Sequence, residues 1–291
     1  MATMQVLSVP HYLTNKVNMK STFNFQELYN YAVEVGCEAC LNEPMSLHTS
    51  FKTGGPCGVC ISPADIEQLK AVIEKANDLQ IPFVVLGNGT NVLVPDEGID
   101  KAVIIIGAKM AEITLEDDDI LCFCAGTNLM SLCRYAYNNG LSGLEFAFGI
   151  PGSCGGAIYM NAGAYGGEMS QVVTLVEGFD MTGEPFRYTR PEMHFSHRYT
   201  RLMDENKIIT HVTFQLQPGC REALLAEMVD FNTRRAEKQP LTKFSAGSTF
   251  KRPENGYASA MIDQCGLKGF AVGGAQVSEK HAGFCINNGG T

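Results

Sequence analysis

Glycine is concentrated in one segment of this 291-residue chain, and that concentration limits what the segment can form. The twenty residues from Gly149 to Glu168, GIPGSCGGAIYMNAGAYGGE, contain seven glycines. Glycine inside a helix or strand typically costs about 0.5–1 kcal/mol relative to alanine, which disfavours a regular element here. Ile150, Ile158 and Met160 are too apolar for a flexible linker. We therefore predict that the backbone of this segment approaches a ligand closely; a glycine-rich surface loop is the alternative.

A second glycine pair lies in LGNGTNVLV, residues 86–94, directly after an apolar run that is typical of a strand. Gly87 and Gly89 leave that strand where backbone N–H groups can surround a diphosphate. The spacing matches neither the Gly-x-Gly-x-x-Gly dinucleotide fingerprint nor the lysine-containing phosphate loop. A tight turn is the ordinary alternative for such a pair.

Hydrophobic periodicity predicts helices at 24–35, 66–76, 129–137 and 222–237, and strands at 83–86, 102–106, 120–124, 172–176 and 208–216. Ser62, Pro63 and Asp65 form a helix-start signal in which Ser62 is the expected cap. The first part of the chain is thus of α/β type, and a domain boundary is expected near residue 218.

Four of the eleven cysteines form two CxxC pairs, Cys37 with Cys40 and Cys57 with Cys60. The sixteen residues between the pairs are compatible with a zinc ribbon. However, the first pair is expected near the end of a helix, and Cys60 lies in GVCIS, which is typical of a strand. We therefore favour buried thiols over a metal site, and we expect no bound metal.

The charge balance excludes some partners. Lysine and arginine total 22 against 31 acidic residues, a formal net charge of -9, and no basic stripe suited to a phosphate backbone is present. We expect no nucleic-acid partner. The sequence shows no signal peptide and no apolar run of about 20 residues, which predicts a cytoplasmic protein without a membrane interaction.

The two glycine-rich segments together closely resemble the FAD-binding region of UDP-N-acetylenolpyruvoylglucosamine reductases, in the shorter subtype of that family. The resemblance continues in four further segments, so it covers most of the chain. These are NEPMSLHTSFKTGG at 42–55, RRAEKQP at 234–240, SAGSTFKRP at 245–253 and KHAGFCINNGG at 280–290.

The resemblance implies an α+β fold: a two-lobed FAD-binding domain of the vanillyl-alcohol-oxidase (PCMH) type, followed by a small α+β substrate lobe. We expect a loose lead-in at residues 1–22 and the FAD-binding domain at 23–217, with lobes of about 23–108 and 109–217. The substrate lobe is expected at 218–291.

The resemblance also implies a two-step reaction in peptidoglycan synthesis. NADPH passes a hydride to FAD, and the reduced flavin passes it to the enolpyruvyl group of a UDP-sugar, giving UDP-N-acetylmuramate. FAD and NADPH are the implied cofactors, the UDP-sugar is the implied small-molecule partner, and a monomer is expected. The alternatives are another FAD-linked oxidoreductase of the same fold and an inactive flavin-binding protein.

By motif position, the resemblance assigns proton delivery to Ser248 and the substrate carboxylate to Arg198, while Arg235 and Lys251 are candidate contacts for anionic substrate groups. The implied cofactor-binding residues come from both glycine-rich segments: Gly87, Asn88, Gly89, Thr90, Asn91, Gly152, Ser153, Gly155, Gly156, Asn161, Ala162 and Gly163.

The sequence departs from the family pattern in two places. His197 stands where the family has the tyrosine of a Tyr-Arg pair, and Tyr199 is a candidate to replace it. The family continues beyond NNGG to a glutamate that works with the serine and arginine, whereas this sequence ends at Thr291. The resulting expectation is a truncated form that binds FAD and has little reductase activity.

Overall fold

The computed structural model describes residues 5–6 and 23–289. Its α-helices are α1 Phe25–Glu34, α2 Ile66–Asp78, α3 Leu129–Asn138, α4 Cys154–Tyr159, α5 Leu202–Glu205, α6 Arg221–Lys238 and α7 Ala258–Gln264. Its strands are β1 Gln5–Val6, β2 Glu38–Leu41, β3 Cys57–Ser62, β4 Phe83–Leu86, β5 Val92–Leu93, β6 Ile99–Ile105, β7 Ile113–Glu116, β8 Ile120–Cys124, β9 Leu141–Ser142, β10 Gly163–Ala164, β11 Gly167–Glu168, β12 Val173–Phe179, β13 Pro185–Thr189, β14 Ile208–Gln215, β15 Gln217–Pro218, β16 Ala271–Val272, β17 Ala275–Val277 and β18 Cys285–Asn287.

The first sheet has the order β2-β3-β6-β4. Helix α1 contacts β2, β3 and α2, and buried residues of α2 share one apolar core with those of the sheet. Strands β3, β6 and β4 are parallel, whereas β2 is antiparallel to β3. Helix α2 buries the apolar stripe that its periodicity predicts. Its cap is Asp65, whose carboxylate accepts a hydrogen bond from the Gln68 N–H at 2.8 Å. The prediction of Ser62 as the cap is wrong, because Ser62 is the last residue of β3.

The cysteine pairs lie in the first sheet. Gly36, at φ 91°, follows α1, and the chain then enters β2, where Cys40 lies opposite Cys60 of β3. The expected helical position of Cys40 is wrong, because strand pairing overrides the helical pattern at this point. Cys37, Cys57 and Cys60 are buried thiols, whereas Cys40 is exposed. Within residues 5–6 and 23–289, no group of three or more His, Cys, Asp or Glu side chains is arranged to hold a metal.

The second sheet is antiparallel throughout, with the order β13-β12-β14-β8-β7. Phe123 of β8 and Phe214 of β14 meet edge to face, with ring centroids 4.7 Å apart. Buried residues of both sheets belong to one continuous apolar core, so the two sheets are packed together. The combination of a mixed sheet and an antiparallel sheet with helices confirms the α+β class.

The last part of the chain carries α6, α7 and the small antiparallel sheet β16-β17-β18. Helix α6 packs against α3 and the turn at Glu145–Ala147. At the other end of the chain, β1 pairs in parallel with β5. The remainder of the expected lead-in lies outside the described residues, and the proposed domain boundaries stay predictions. No helix in the described ranges has the length and apolarity required to span a bilayer.

Candidate functional site

A cavity of about 350 Å³ lies where the two sheets meet. The first sheet contributes β4 and the first cofactor loop, defined here as residues 87–91. The second sheet contributes Ala125 and the start of β14, and the second cofactor segment, residues 149–168, forms much of the remaining wall. A mostly apolar cavity bordered by glycine-rich backbone is suited to a ligand that combines a flat ring system with a diphosphate.

The first cofactor loop is shaped by Gly89. This residue has φ 60°, and a Cβ atom built on it would lie 1.9 Å from the carbonyl oxygen of His48, so no other residue fits without displacement of the backbone. The Ser50 N–H donates to the Gly89 carbonyl at 3.0 Å. The N–H groups of residues 87–90 have no acceptor in the described part of the chain. They are therefore available donors for phosphate oxygens.

The second cofactor segment is more regular than its glycine content predicts. Helix α4 begins after Ser153, whose hydroxyl accepts a hydrogen bond from the Gly156 N–H at 3.3 Å. Gly155 lies within α4 because a Cβ atom there would be 2.7 Å from the Cβ of Ala125. The expectation of no regular element is wrong for these six residues, since close helix packing requires glycine inside the helix.

Arg198 is hydrogen-bonded to the second cofactor segment on the side that faces away from the cavity. Its Nη1 donates to the Asn161 carbonyl at 2.8 Å and its Nη2 to the Gly163 carbonyl at 2.6 Å. Asn161 is itself fully buried, and its amide donates to the Ser196 carbonyl at 2.9 Å. Burial lowers the pKa of Arg198, and the nearby Glu168 carboxylate opposes that shift. The guanidinium therefore places a positive charge directly against this backbone.

The two residues beside Arg198 differ in their surroundings. Partial burial and the charge of Arg198 lower the pKa of His197. The Tyr199 hydroxyl donates to Asp204 at 2.5 Å, and this hydrogen bond raises the pKa of the tyrosine. Tyr199 is thus held by Asp204 in this structure, while its assignment as the replacement for the family tyrosine stays a prediction.

Arg235 on α6 is a buried cation, and not all of its N–H donors form hydrogen bonds within the described residues. Its side chain is only 5% exposed, and its sole hydrogen bond within the described residues joins Nη1 to Gln239 Oε1 at 3.5 Å. Nε and Nη2 have no partner there. A Cβ on Gly149 would lie 3.2 Å from Nε, so the guanidinium is packed against the start of the second cofactor segment. Burial lowers its pKa, as expected for a charge held away from water. An anionic ligand would satisfy these donors.

Ser248 and Lys251 belong to the last part of the chain. Ser248 is buried and forms a β-bridge with Phe284, whereas Lys251 is exposed. The segment before Ser248 is hydrogen-bonded to the N-terminal part of the chain: the Ser50 hydroxyl donates to the Ser245 carbonyl at 2.6 Å. None of Ser248, Lys251, Arg198 and Arg235 lines the cavity itself.

The structure brings ten of the twelve predicted cofactor-binding residues to the cavity wall. The other two, Asn161 and Gly163, lie behind it as the acceptors of Arg198. Sequence reasoning missed Met181, Lys207 and Ile208, which also line the cavity. No motif marks them, because they reach the cavity only through the folding of the second sheet: Met181 follows β12, and Lys207 and Ile208 lie where β14 begins. The individual roles of the predicted residues remain predictions.

Comparison with known proteins identifies two matched regions. A family model described as an FAD binding domain matches residues 58–189. A second, described as the C-terminal domain of UDP-N-acetylenolpyruvoylglucosamine reductase, matches residues 239–291. The first region contains both cofactor segments in full, and the second contains Ser248.

Curated relatives extend the similarity over most of the chain. The UDP-N-acetylenolpyruvoylglucosamine reductase of Clostridium botulinum strain Hall is 45% identical over 250 residues, which cover 86% of this chain and 81% of the relative. The enzyme of the same name from Caldanaerobacter subterraneus is 45% identical over 249 residues, covering 86% and 82%.

Solved structures give the same result. The UDP-N-acetylenolpyruvylglucosamine reductase from Thermus caldophilus superposes with a TM-score of 0.74 at 34% identity, covering 88% of this chain and 89% of that chain. A BBE-like protein from Physcomitrella patens shares the fold alone, with a TM-score of 0.51 at 14% identity over 65% of this chain and 44% of that chain. The fold is therefore the PCMH-type FAD-binding fold that the sequence resemblance implies. From the cavity, the matched regions and these relatives together, the chain belongs to the UDP-N-acetylenolpyruvoylglucosamine reductase family.

Proposed function

We propose that this chain reduces the enolpyruvyl group of UDP-N-acetylglucosamine enolpyruvate with NADPH, using FAD, to give UDP-N-acetylmuramate for peptidoglycan synthesis. The observation that carries the proposal is the pairing of two features at one place. One is a glycine-bordered cavity with four backbone N–H donors that lack acceptors in the described residues. The other is the buried Arg235, two of whose nitrogens have no partner among the described residues; it is packed against the second cofactor segment at Gly149.

FAD fits the donor set of this cavity. The N–H groups of the first cofactor loop suit its diphosphate, and the apolar strand ends around Ala125 and Ile208 suit its ring systems. When bound, FAD supplies the redox chemistry, accepting a hydride equivalent from NADPH and delivering it to the substrate. Ser153 and Arg198 support this arrangement by holding α4 and the 161–163 backbone in place.

Four side chains act on the substrate in this proposal. Arg235 binds an anionic group of the UDP-sugar, because its free donors require an acceptor once they are away from water. Arg198 contributes positive charge beside the second cofactor segment, where negative charge develops on the substrate carboxylate. Ser248, buried at its bridge with Phe284, delivers the proton, and the exposed Lys251 contacts an outer anionic group.

The test is a spectrum of the purified protein, followed anaerobically by NADPH and then UDP-N-acetylglucosamine enolpyruvate. We expect a yellow protein that bleaches with NADPH and regains its colour with this substrate. Lactate-like acids, added to the oxidised protein in place of NADPH, should leave it yellow. In Ser248→Ala, bleaching should be unchanged while recovery slows by about 100- to 10,000-fold, the usual worth of positioned acid catalysis. A flavin that bleaches and never recovers would favour an inactive flavin-binding protein. Bleaching of the oxidised flavin by such acids would favour another oxidoreductase of the same fold.

A cytoplasmic monomer completes the proposal. The support for the monomer is that both sheets of one chain contribute to the cavity wall. Light scattering of the FAD-loaded protein tests the oligomeric state; a mass twice that of the 31.6 kDa chain would contradict it.

A further inference from the structure

The face of α6 that packs against the rest of the molecule is apolar except at its C-terminal end, where it carries a charged residue. Leu224 and Met228 are buried, Phe231 is half-buried and Arg235 is buried, with the spacing of one helical face. An apolar residue is ordinary at the end of such a stripe. Arg235 instead places a guanidinium there. Among residues 23–289 it makes one weak hydrogen bond, to Gln239, so its orientation depends on the neighbouring side chains.

One of those neighbours is Tyr165, from the second cofactor segment. It occupies the turn between β10 and β11 with Gly166, and the two residues have φ 53° and φ 92°. Asparagine or glycine is usual at the first of these positions, so tyrosine adopts an unfavourable backbone conformation. A side chain kept at such a position generally has a role that outweighs the strain.

The Tyr165 ring lies flat against Phe231. The ring centroids are 4.5 Å apart and the planes differ by 5°, while the Arg235 guanidinium carbon lies 5.6 Å from the Tyr165 centroid. An offset ring stack fixes the plane of the tyrosine, and the tyrosine face attracts the cation. Phe231 and Arg235 are one helical turn apart on the same side of α6, so the three side chains form one connected group.

We propose that Phe231 is a positioning residue for the substrate-binding arginine. It holds Tyr165 against α6, and the stacked tyrosine holds the guanidinium of Arg235 over the second cofactor segment. The proposal rests on the proposed function, in which Arg235 binds an anionic group of the UDP-sugar. Phe231 itself contacts neither cofactor nor substrate, yet substrate affinity depends on the aromatic ring at this position.

The test compares Phe231→Leu, which removes the ring, with Phe231→Tyr, which keeps it. Val229→Ala, at an exposed position of the same helix, is the matched control. The affinity of the FAD-loaded full chain for UDP-N-acetylglucosamine enolpyruvate is measured from the change in the flavin spectrum. We expect Phe231→Leu to bind about 3- to 10-fold more weakly, the worth of one aromatic stack. Phe231→Tyr and Val229→Ala should stay within about twofold of the parent.

Two readouts separate positioning from general damage. FAD content and the rate of bleaching by NADPH should be unchanged in Phe231→Leu; parallel losses in both would contradict the proposal. Tyr165→Leu should weaken substrate binding by a similar factor, and the double variant should be no weaker than the poorer single variant, because both changes break the same stack. Additive losses would also overturn it.

A chemical readout needs no substrate. Phenylglyoxal modification of Arg235, followed by peptide mass mapping, reports how well the guanidinium is held. We expect the reaction to be about threefold or more faster in Phe231→Leu than in the parent or in Phe231→Tyr, and an equal rate would contradict the proposal. If the parent itself fails to bind the UDP-sugar, the proposed function fails, and the modification rates still decide whether Phe231 positions Arg235.

Discussion

At the scale of single residues, we expect Arg235 to lower the stability of the ligand-free protein while it strengthens the binding of the substrate. Two nitrogens of its buried guanidinium have no partner in the part of the chain that the structure describes, so the desolvation penalty is not fully compensated. We therefore expect Arg235→Met to raise the free energy of unfolding of the ligand-free protein by about 1 kcal/mol while substrate affinity falls. Urea unfolding and a flavin-monitored titration measure the two effects.

The adjacent residue supplies the control for that experiment. Arg234 is exposed and paired with Asp230 on the surface of the same helix. Arg234→Met should change the free energy of unfolding by no more than about 0.5 kcal/mol and leave substrate affinity alone. Equal effects of the two substitutions would mean that burial of Arg235 has no special consequence.

The buried thiol of Cys133 should make the fold sensitive to alkali. Burial, and secondarily the Glu145 carboxylate, raises the pKa of Cys133 from 9.0 to about 12. The unfolded chain then loses this proton first as the pH rises, so the contribution to stability is complete below pH 9.0 and is lost progressively up to about pH 12. The loss amounts to about 1.4 kcal/mol per pH unit.

Cys133→Ala tests this contribution through the slope of the free energy of unfolding against pH. The substitution leaves a cavity, which lowers stability by a similar amount at every pH. Above about pH 9, however, the free energy of unfolding of the variant should fall less steeply than that of the parent protein. Parallel curves from denaturant unfolding at several pH values would show that the thiol is not responsible.

At the scale of elements, the first cofactor loop depends on Gly89. Alanine there requires both a positive φ and a Cβ atom 1.9 Å from the His48 carbonyl oxygen. We expect Gly89→Ala to lose FAD on gel filtration and to lower the free energy of unfolding by about 2–3 kcal/mol. Gly166→Ala is the control, because φ is 92° there but no atom lies within 4 Å of the added carbon. It should cost about 1 kcal/mol and retain FAD.

Element prediction from the sequence succeeded where pattern and packing agree. Strands β4 and β8 begin and end where their apolar runs predict, and α3 differs from its predicted range by a single residue. It failed at β2 and α4. Strand pairing with β3 determines β2, and the close approach to Ala125 permits glycine within α4; both are tertiary contacts that local sequence does not encode.

At the scale of the whole molecule, the cavity wall comes from both sheets, so FAD should stabilise them as one unit. A ligand at 100 times its dissociation constant adds about 2.7 kcal/mol to the free energy of unfolding. We therefore expect calorimetry to show one transition that moves to higher temperature with FAD. Two transitions, of which only one responds, would contradict the shared cavity wall.

The site as a whole was only partly predictable. Gly87, Gly89 and Gly155 are visible in the sequence because close backbone approach restricts a position to glycine. Lys207 and Met181 carry no such restriction, and they reach the cavity through the folding of the second sheet. The Tyr165–Phe231 stack joins residues far apart in sequence, and only the seating of α6 brings the two rings together.

Ser50 joins two parts of the molecule through two different atoms. Its N–H holds the Gly89 carbonyl of the first cofactor loop, and its hydroxyl holds the Ser245 carbonyl three residues before Ser248. The neighbouring Phe51 carbonyl accepts from the Asn287 amide at 2.9 Å. The acceptors are all backbone carbonyls, so a chimaera that takes its C-terminal part from a relative keeps these links only if it retains the hydroxyl at position 50 and the amide at position 287. Residues 50 and 51, which lie far from the expected boundary near residue 218, therefore decide whether the C-terminal part of a relative can be joined to this chain.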